Sequence, residues 1–557
     1  MIFLVFYFQE FTIEGITIEG KIKSFFSYDL IDTNYLEFFT ETKDIFQYLT
    51  DLNLIYYGSP LQLTQLSINS NSSKNLSFNL NGIPLNDPKT GIFDISLIPI
   101  ETIHMIEIFK GGFSQNLQNS IDGCVNMIKE FKNIINLGLR NTSYNISFSR
   151  KFKESGLSIF SRYYDNPRKN SDGYIINLSF KYKDIFIDWT KKKTGLPGPV
   201  PYNNIPQFGD SDVYSLYDNE NDYLFLSSYN FNRKDLNITP YIIYSKMIPY
   251  QKYINFFTGD TIDEMDDYRV YTIGLKTSFE KFLFFNIRID SIDMKGIDTI
   301  LGKKNFSINI NSDYQRFFWN FILNTGFGFD YDIISNLNWN GYFGIALKEP
   351  YNIYLMITRN IRKPSFNELY WPYYSNPELK TEKSVGITSG IKKENLEFMI
   401  YKKWINEKIG LNENWKPENI EKAEIYGASL KTSYNLENFT FYSIFKLMEG
   451  NEFLIDTIIE LQYTPKYSFS LNTSLFKNPE IFFSFIYNDR IKKYRFNDLP
   501  SYFIINAGIK KDFKNIKFIL TLENLLNRKY KVFFGYLNNE YYPGENFRIN
   551  LNVFMKI

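Results

Sequence analysis

The chain has 557 residues, with 62 basic and 61 acidic side chains and a net charge of +1. That balance disfavours a nucleic-acid binder, which needs a basic excess or stripe. One Cys and one His exclude a disulfide framework and most zinc sites.

Residues 1–10 begin with the apolar run MIFLVFYF. It lacks a basic start and a small-residue cleavage site, so it reads as the remnant of a signal peptide, with export an inference. Residues 11–22 contain FTIEGITIEGK, an extended segment that suits a linker or a first strand. Residues 42–54 place Ile45, Leu49 and Leu52 near helical spacing, with Thr42 as N-cap. Ile55-Tyr56-Tyr57-Gly58-Ser59-Pro60 reads as a turn, and LTQLSIN after it as a strand. Residues 75–80 alternate as another strand, and Asn81-Gly82 is a turn signal. Pro84, Asn86-Asp87-Pro88 and Gly91 hold an exposed loop. Residues 95–100 are apolar but broken by Pro99. Ile103, Met105, Ile106 and Ile108 form a further strand ending at Gly111-Gly112, and Val125-Asn126-Met127-Ile128 closes the unit. Residues 23–130 thus predict a small mixed α/β domain without catalytic grammar. His104 alternates away from its apolar neighbours on a strand, and Cys124 reads as a packing residue.

From residue 131 the texture changes to alternation. Ile176, Leu178, Phe180 and Tyr182 share one face; Asn177, Ser179, Lys181 and Lys183 share the other. Such strands recur to residue 557. Links such as 153–156 and 392–395 are short, whereas 194–223 is long. Residues 131–557 divided among roughly 22 strands leave about 19 each, which suits a ~10-residue span plus its loop. In the final strand Phe547, Ile549, Leu551, Val553, Met555 and Ile557 alternate with Arg548, Asn550, Asn552 and Lys556. One face suits lipid and the other a wet lumen. No apolar run approaches the ~18 residues of a spanning helix, and mean hydropathy is −0.28. An outer-membrane barrel has both properties, as does a soluble all-β protein. The 54 Phe and 43 Tyr fit aromatic girdles at the membrane interfaces, or a compositional bias.

Four pieces carry a resemblance: Asn81-Gly82-Ile83-Pro84-Leu85-Asn86, Asp94-Ile95-Ser96-Leu97-Ile98-Pro99, Ile106-Glu107-Ile108-Phe109-Lys110-Gly111 and Gly123-Cys124-Val125-Asn126-Met127-Ile128. Their order over about 50 residues resembles the plug of TonB-dependent outer-membrane receptors, because chance must reproduce both spacing and order. Later stretches are similar to the barrel of that family: Arg362-Lys363-Pro364-Ser365 with Glu368-Leu369-Tyr370, Gly195-Leu196-Pro197-Gly198, and Glu523-Asn524-Leu525 with Tyr542-Pro543-Gly544. Asn81 stands where the family has Asp, Asn69-Ser70 where it has Arg-Gly, and Glu545 where it has Arg. The resemblance implies a mainly β fold: a transmembrane antiparallel β-barrel of about 22 strands over 131–557, holding an α/β plug over 23–130.

It also implies a function. The expectation is active import of a scarce metal chelate, an iron siderophore or cobalamin, by a monomer in the cell outer membrane. The partners would be a TonB-type energy-transducing complex, the chelate and membrane lipid, with no nucleic acid. Ile16, Thr17, Ile18, Glu19 and Gly20 sit where such receptors carry a TonB box, which works by main-chain pairing to a sheet edge. Plug-apex candidates for the ligand are Tyr56, Tyr57, Ser59, Gln62, Asn86, Asp87, Lys89 and Thr90; ordinary turns are the alternative. No cofactor is required. Asp210, Asp212, Asp218, Glu220 and Asp222 form an acidic loop that suits a structural calcium ion or a solvated surface. Rival readings are a passive porin with an internal constriction, an outer-membrane enzyme, and an adhesin. With one His, no Ser/His/Asp set is credible, so an enzyme is not expected.

Overall fold

The structure is a computed structural model. It describes residues 11–557 apart from 14–15, 19–27, 33–36, 59, 70–71, 112–119, 166–167, 169, 202–218, 255–260, 280–281, 296–299, 348–350, 373, 394, 413–415, 454–456 and 536–539. Residues from Ile134 onward form a closed antiparallel barrel of 22 staves. Closure joins Arg548–Lys556 to Ile134–Arg140, with Leu551 opposite Leu139 and Asn552 opposite Gly138. A closed ring leaves no unpaired strand edge, the condition for β-structure in hydrocarbon.

The alternation read in the sequence is the in–out alternation of the wall. In the last stave Arg548, Asn550 and Asn552 are buried, while Ile549 and Leu551 are exposed. In Gly173–Tyr182, Asn177 and Ser179 are buried and Leu178, Phe180 and Tyr182 exposed. The outer surface is therefore apolar and the inner one polar, the reverse of a soluble protein. Among the described residues no helix is long and apolar enough to cross a membrane. Short links at one end, such as that between Ser143–Lys151 and Ser155–Tyr164, put the start and end of the barrel on the same side.

The bore holds the preceding domain. Its five-stranded sheet runs in the order Tyr28–Asp32, Ile103–Lys110, Gly123–Lys129, Leu76–Leu80, Ile83–Pro84. Only Leu76–Leu80 and Gly123–Lys129 pair in parallel. Asn81 and Gly82 both take positive φ, as the tight hairpin demands. A second, two-stranded sheet pairs Asn53–Tyr56 with Thr64–Ser67. Residues 55–60 are therefore not wholly a turn: Ile55 and Tyr56 belong to a strand, and the turn begins at Tyr57. The helix is Thr42–Leu49, one turn shorter than its apolar spacing suggests. Thr42 is not its cap. The Thr42 hydroxyl donates instead to Ile98 O at 2.5 Å. Glu41 takes the cap, its amide donating to the Asp44 carboxylate at 3.1 Å. The segment with Pro99 forms two 3-10 turns, Ile95–Leu97 and Ile100–Thr102.

Polar contacts radiate from this domain to staves around the ring, which is possible only from inside. Lys129 Nζ lies 2.7 Å from Asp188. Arg140 and Arg548 both reach Glu41. Lys403 pairs with Asp122. Lys446 donates to Asp51 O at 2.7 Å and Asn53 Oδ1 at 2.9 Å. Asn472 donates to Tyr48 O at 2.8 Å. The main apolar core centres on the plug, where Phe46, Leu66, Ile95, Ile106 and Met127 are fully buried, and continues into wall residues such as Leu226, Phe482 and Ile519.

Two expected outcomes follow from the packing. Gly123 has φ +143, and a Cβ there would stand 2.0 Å from Phe109 O. Gly123→Ala should cost roughly 1–3 kcal/mol from backbone strain alone, read as faster hydrogen exchange in the plug strands with barrel circular dichroism unchanged. Lys129→Met leaves the buried Asp188 carboxylate without its counter-charge, holding only the hydrogen bonds from Asn177 and Ser179, at a cost of about 3–5 kcal/mol. The double variant Lys129→Met/Asp188→Asn should recover most of that loss in the same exchange measurement.

Candidate functional site

Two turns form the plug face that looks toward the long barrel loops. The first follows Asn53–Tyr56. Neighbouring residues of a strand point to opposite sides, and the two tyrosines here separate accordingly. Tyr56 is buried in the plug–barrel core, its hydroxyl 3.3 Å from that of Tyr530. Tyr57 turns the other way and packs edge-on to Tyr542, with ring centroids 4.9 Å apart. Gly58 closes the turn with φ +83 against the Pro543 carbonyl, a position no side chain tolerates.

The second turn spans residues 86–91 and is held by its own side chains. Asn86 Oδ1 accepts from Phe78 N at 2.7 Å, and its Nδ2 donates to Leu76 O and Gly91 O. Asp87 Oδ1 accepts from Lys89 N at 2.7 Å. Burial raises the Asp87 carboxyl above the ordinary carboxylate range, with Lys89 pulling the other way. Burial also lowers the Lys89 ammonium, partly offset by Asp87. Lys89 is 2% exposed and its Nζ lies 4.1 Å from the Tyr268 ring centroid, a cation–π contact that stands in for lost water.

Between these turns and the staves Asn219–Tyr229, Leu236–Ile254, Asp267–Phe279 and Leu283–Lys295 lies a cavity of about 400 Å³. That is within the range of small-ligand pockets. Tyr57, Gln62, Asn86, Asp87 and Thr90 line it, together with Glu220 and Asp222 from the wall. Tyr56 and Lys89 are not among its lining residues, and Ser59 lies outside the described residues. Ile16, Thr17 and Ile18 form a short strand paired with Phe11–Ile13; Glu19 and Gly20 lie outside the described residues.

Lys192 and Arg288 are not among the sequence candidates: Arg288 lines the cavity, and Lys192 sits behind its lining residues Asp94 and Asp222. Lys192, fully buried, sits 2.6 Å from Asp94 and 2.9 Å from Asp222. Arg288 pairs with Asp290 at 2.8 Å and donates to Asn86 O at 3.4 Å. Gln62 donates to Gly195 O at 3.4 Å, while its Oε1 is buried without a hydrogen-bond partner among the described residues. Strand alternation shows that Lys192 and Arg288 face inward, but no local signal says which plug residue each meets.

The acidic set does not fit calcium in its described part. Asp210, Asp212 and Asp218 lie outside the described residues. Calcium takes six to eight oxygens, whereas Asp222 already holds the Lys192 ammonium, with Glu220 beside it. No cluster of three or more metal-ligating side chains occurs among the described residues. His104 lies 3.2 Å from Glu130, and neither lines the cavity.

Comparison with known proteins agrees with this architecture. Residues 12–123 match the model of the TonB-dependent receptor plug domain, and residues 128–539 that of the TonB-dependent receptor-like β-barrel. A 105-residue stretch is 31% identical to the vitamin B12 transporter BtuB of Vibrio vulnificus (strain YJ016), covering 17% of this chain and 17% of that protein. Among solved structures, a mutant of the ferric enterobactin receptor PfeA of Pseudomonas aeruginosa, in complex with enterobactin, superposes with a TM-score of 0.73 at 12% identity, covering 95% of this chain and 99% of that one. The siderophore receptor PirA of Acinetobacter baumannii gives 0.71 at 13% identity, over 95% and 98% of the two chains. The ferric yersiniabactin uptake receptor FyuA of Yersinia pestis gives 0.73 at 10%, over 95% and 98%. At such identities the structural likeness is one of fold. The two matched models together span the plug and nearly all of the barrel, and the chain belongs to the TonB-dependent receptor family.

Proposed function

We propose that this protein imports a scarce metal chelate, an iron siderophore or cobalamin, across the outer membrane. The chelate binds in the cavity between the plug turns and the barrel wall. A TonB-type complex then pulls on the N-terminal segment and opens a path. The observation that carries this reading is the cavity of about 400 Å³ above a bore filled by the plug. Binding alone cannot move a solute uphill through such a bore, so an external energy source is required.

The polar groups of the cavity narrow the ligand class. Gln62 Oε1 has no hydrogen-bond partner among the described residues, and Asp87 and Glu220 add carboxylate acceptors, whereas Asp94 and Asp222 are held by Lys192. The cations Lys192 and Arg288 are already paired with carboxylates. A neutral or cationic chelate that presents amide or ammonium donors complements this lining better than a trianionic tris-catecholate. The short stretch shared with a vitamin B12 transporter supports the same choice.

Calorimetric titration of the detergent-solubilised protein tests the proposal. The panel is cyanocobalamin, ferrioxamine B and a ferric tris-catecholate. A neutral or cationic member should bind with a Kd at or below about 1 μM, roughly −8 kcal/mol. Deleting residues 11–18 should leave that Kd unchanged and abolish cellular accumulation. Failure of every chelate to bind, or uptake that survives the deletion, rejects the reading.

A further inference from the structure

The outer cavity is the first of three that follow one side of the plug. It ends at Gln62, Leu63, Asp94 and Leu97. The next, of about 40 Å³, is lined by the residues adjoining these, Leu61, Thr64, Ile95, Ser96 and Ile98, and by Phe160 and Arg162 of the wall. The third, of about 540 Å³, shares Ile100 with the second and continues past Glu101 and Ile103 to Lys514 and Lys556. Those lysines lie at the barrel end with the short turns. Plug segment 94–103 therefore runs from the outer cavity to the inner one against the wall.

Two polar knots interrupt this seam. At the outer one, Lys192 Nζ holds Asp94 and lies 3.2 Å from Ser96 Oγ, which reaches Leu61 O at 3.3 Å. At the inner one, Arg162 pairs with Glu101 and donates to Thr40 O at 2.6 Å and Tyr164 Oη at 3.2 Å. The inner knot is incompletely satisfied. Glu101 Oε2 and Arg162 Nε are both buried without a hydrogen-bond partner among the described residues. A buried pair in that state adds little to stability for its desolvation cost. Residues 94–102, which carry Glu101, contain two 3-10 turns and belong to no sheet; the sheet strand begins next to them at Ile103. They can therefore shift with Ile103 as the hinge while the rest of the five-stranded sheet keeps its pairing. On the far side of the plug, Lys403 pairs with Asp122, which is anchored by its amide to Asn75 O at 3.0 Å.

We propose that the seam along residues 94–103 is the ligand's route, that Arg162–Glu101 is its inner gate, and that the inner cavity receives the chelate after passage. This rests on the import reading, but its gate is testable without any chelate. The outer and inner cavities are each of small-ligand size, whereas the waist between them is not, so displacement of one plug segment connects them while the rest of the plug stays in place.

The test uses the full chain in planar bilayers, with KCl as the probe. Arg162→Ala should raise ion conductance at least about tenfold over the unaltered protein. Lys403→Ala, on the far side, should leave it near baseline. A double variant, Glu101→Cys/Arg162→Cys in a Cys124→Ala background, should conduct when reduced and close when bridged by a short bis-maleimide. Circular dichroism and hydrogen exchange of the plug sheet establish that each variant is folded. Equal conductance from Arg162→Ala and Lys403→Ala would mean general loosening of the plug and overturns the proposal. So does an Arg162→Ala variant that stays closed, or a bridged double variant that still conducts. None of these outcomes depends on chelate binding, so they are distinguishable from failure of the titrations.

Discussion

The structure depends on one constraint. A wall that faces hydrocarbon must satisfy all its backbone hydrogen bonds within itself and turn its polar side chains inward. Closing 22 staves meets the first demand. The second lines the bore with amides and charges such as Asn177, Asp188, Arg548 and Asn550. A polar bore cannot be filled by an apolar plug without stranding those groups. The plug accordingly centres its apolar core on itself, extending it to the wall only where apolar side chains such as Leu226 and Phe482 face inward, and elsewhere presents charge to the wall, as in Lys129 to Asp188 and Asp51 to Lys431.

This arrangement also explains how the chain departs from its family's pattern. Glu545 stands where the family resemblance implies Arg. In the structure Glu545 meets Lys43 at 2.8 Å and also pairs with Arg548. Lys43 lies on the plug helix beside Glu41, which takes Arg140 and Arg548 from the wall. The charge at position 545 is matched by its surroundings, so the helix remains anchored through a cluster of mixed sign.

Much of this was legible in the residues, and the reason is periodicity. A period of two, sustained over stave after stave, states which residues face out, and Ile549 with Leu551 or Leu178 with Phe180 fall where it puts them. Asn81-Gly82 likewise fixes its hairpin through local backbone energetics. What could not be read is pairing across the seam. Lys192 and Asp94 are nearly one hundred positions apart, and no local pattern links them. Tyr56 and Tyr57 look equivalent in a turn but lie on opposite sides once the strand is seen to extend through Tyr56. Thr42 is a good cap by residue type, yet its hydroxyl is drawn to Ile98 O by tertiary packing. Lys89 is a ligand candidate by residue type and turn position, and only the fold shows its ammonium lying against the Tyr268 ring.

The pairing of Ile134–Arg140 with Arg548–Lys556 bears on biogenesis. The two segments that seal the ring are the most distant in sequence of any neighbouring staves. Until they meet, a growing sheet has two bare margins, each a template for pairing with another polypeptide. The domain that precedes the sheet ends enclosed by the ring, tied to it by pairs such as Lys129–Asp188 and Glu41–Arg548. Sealing the ring removes both margins at once, so the joining of these two segments ends the sheet's capacity to template a foreign strand.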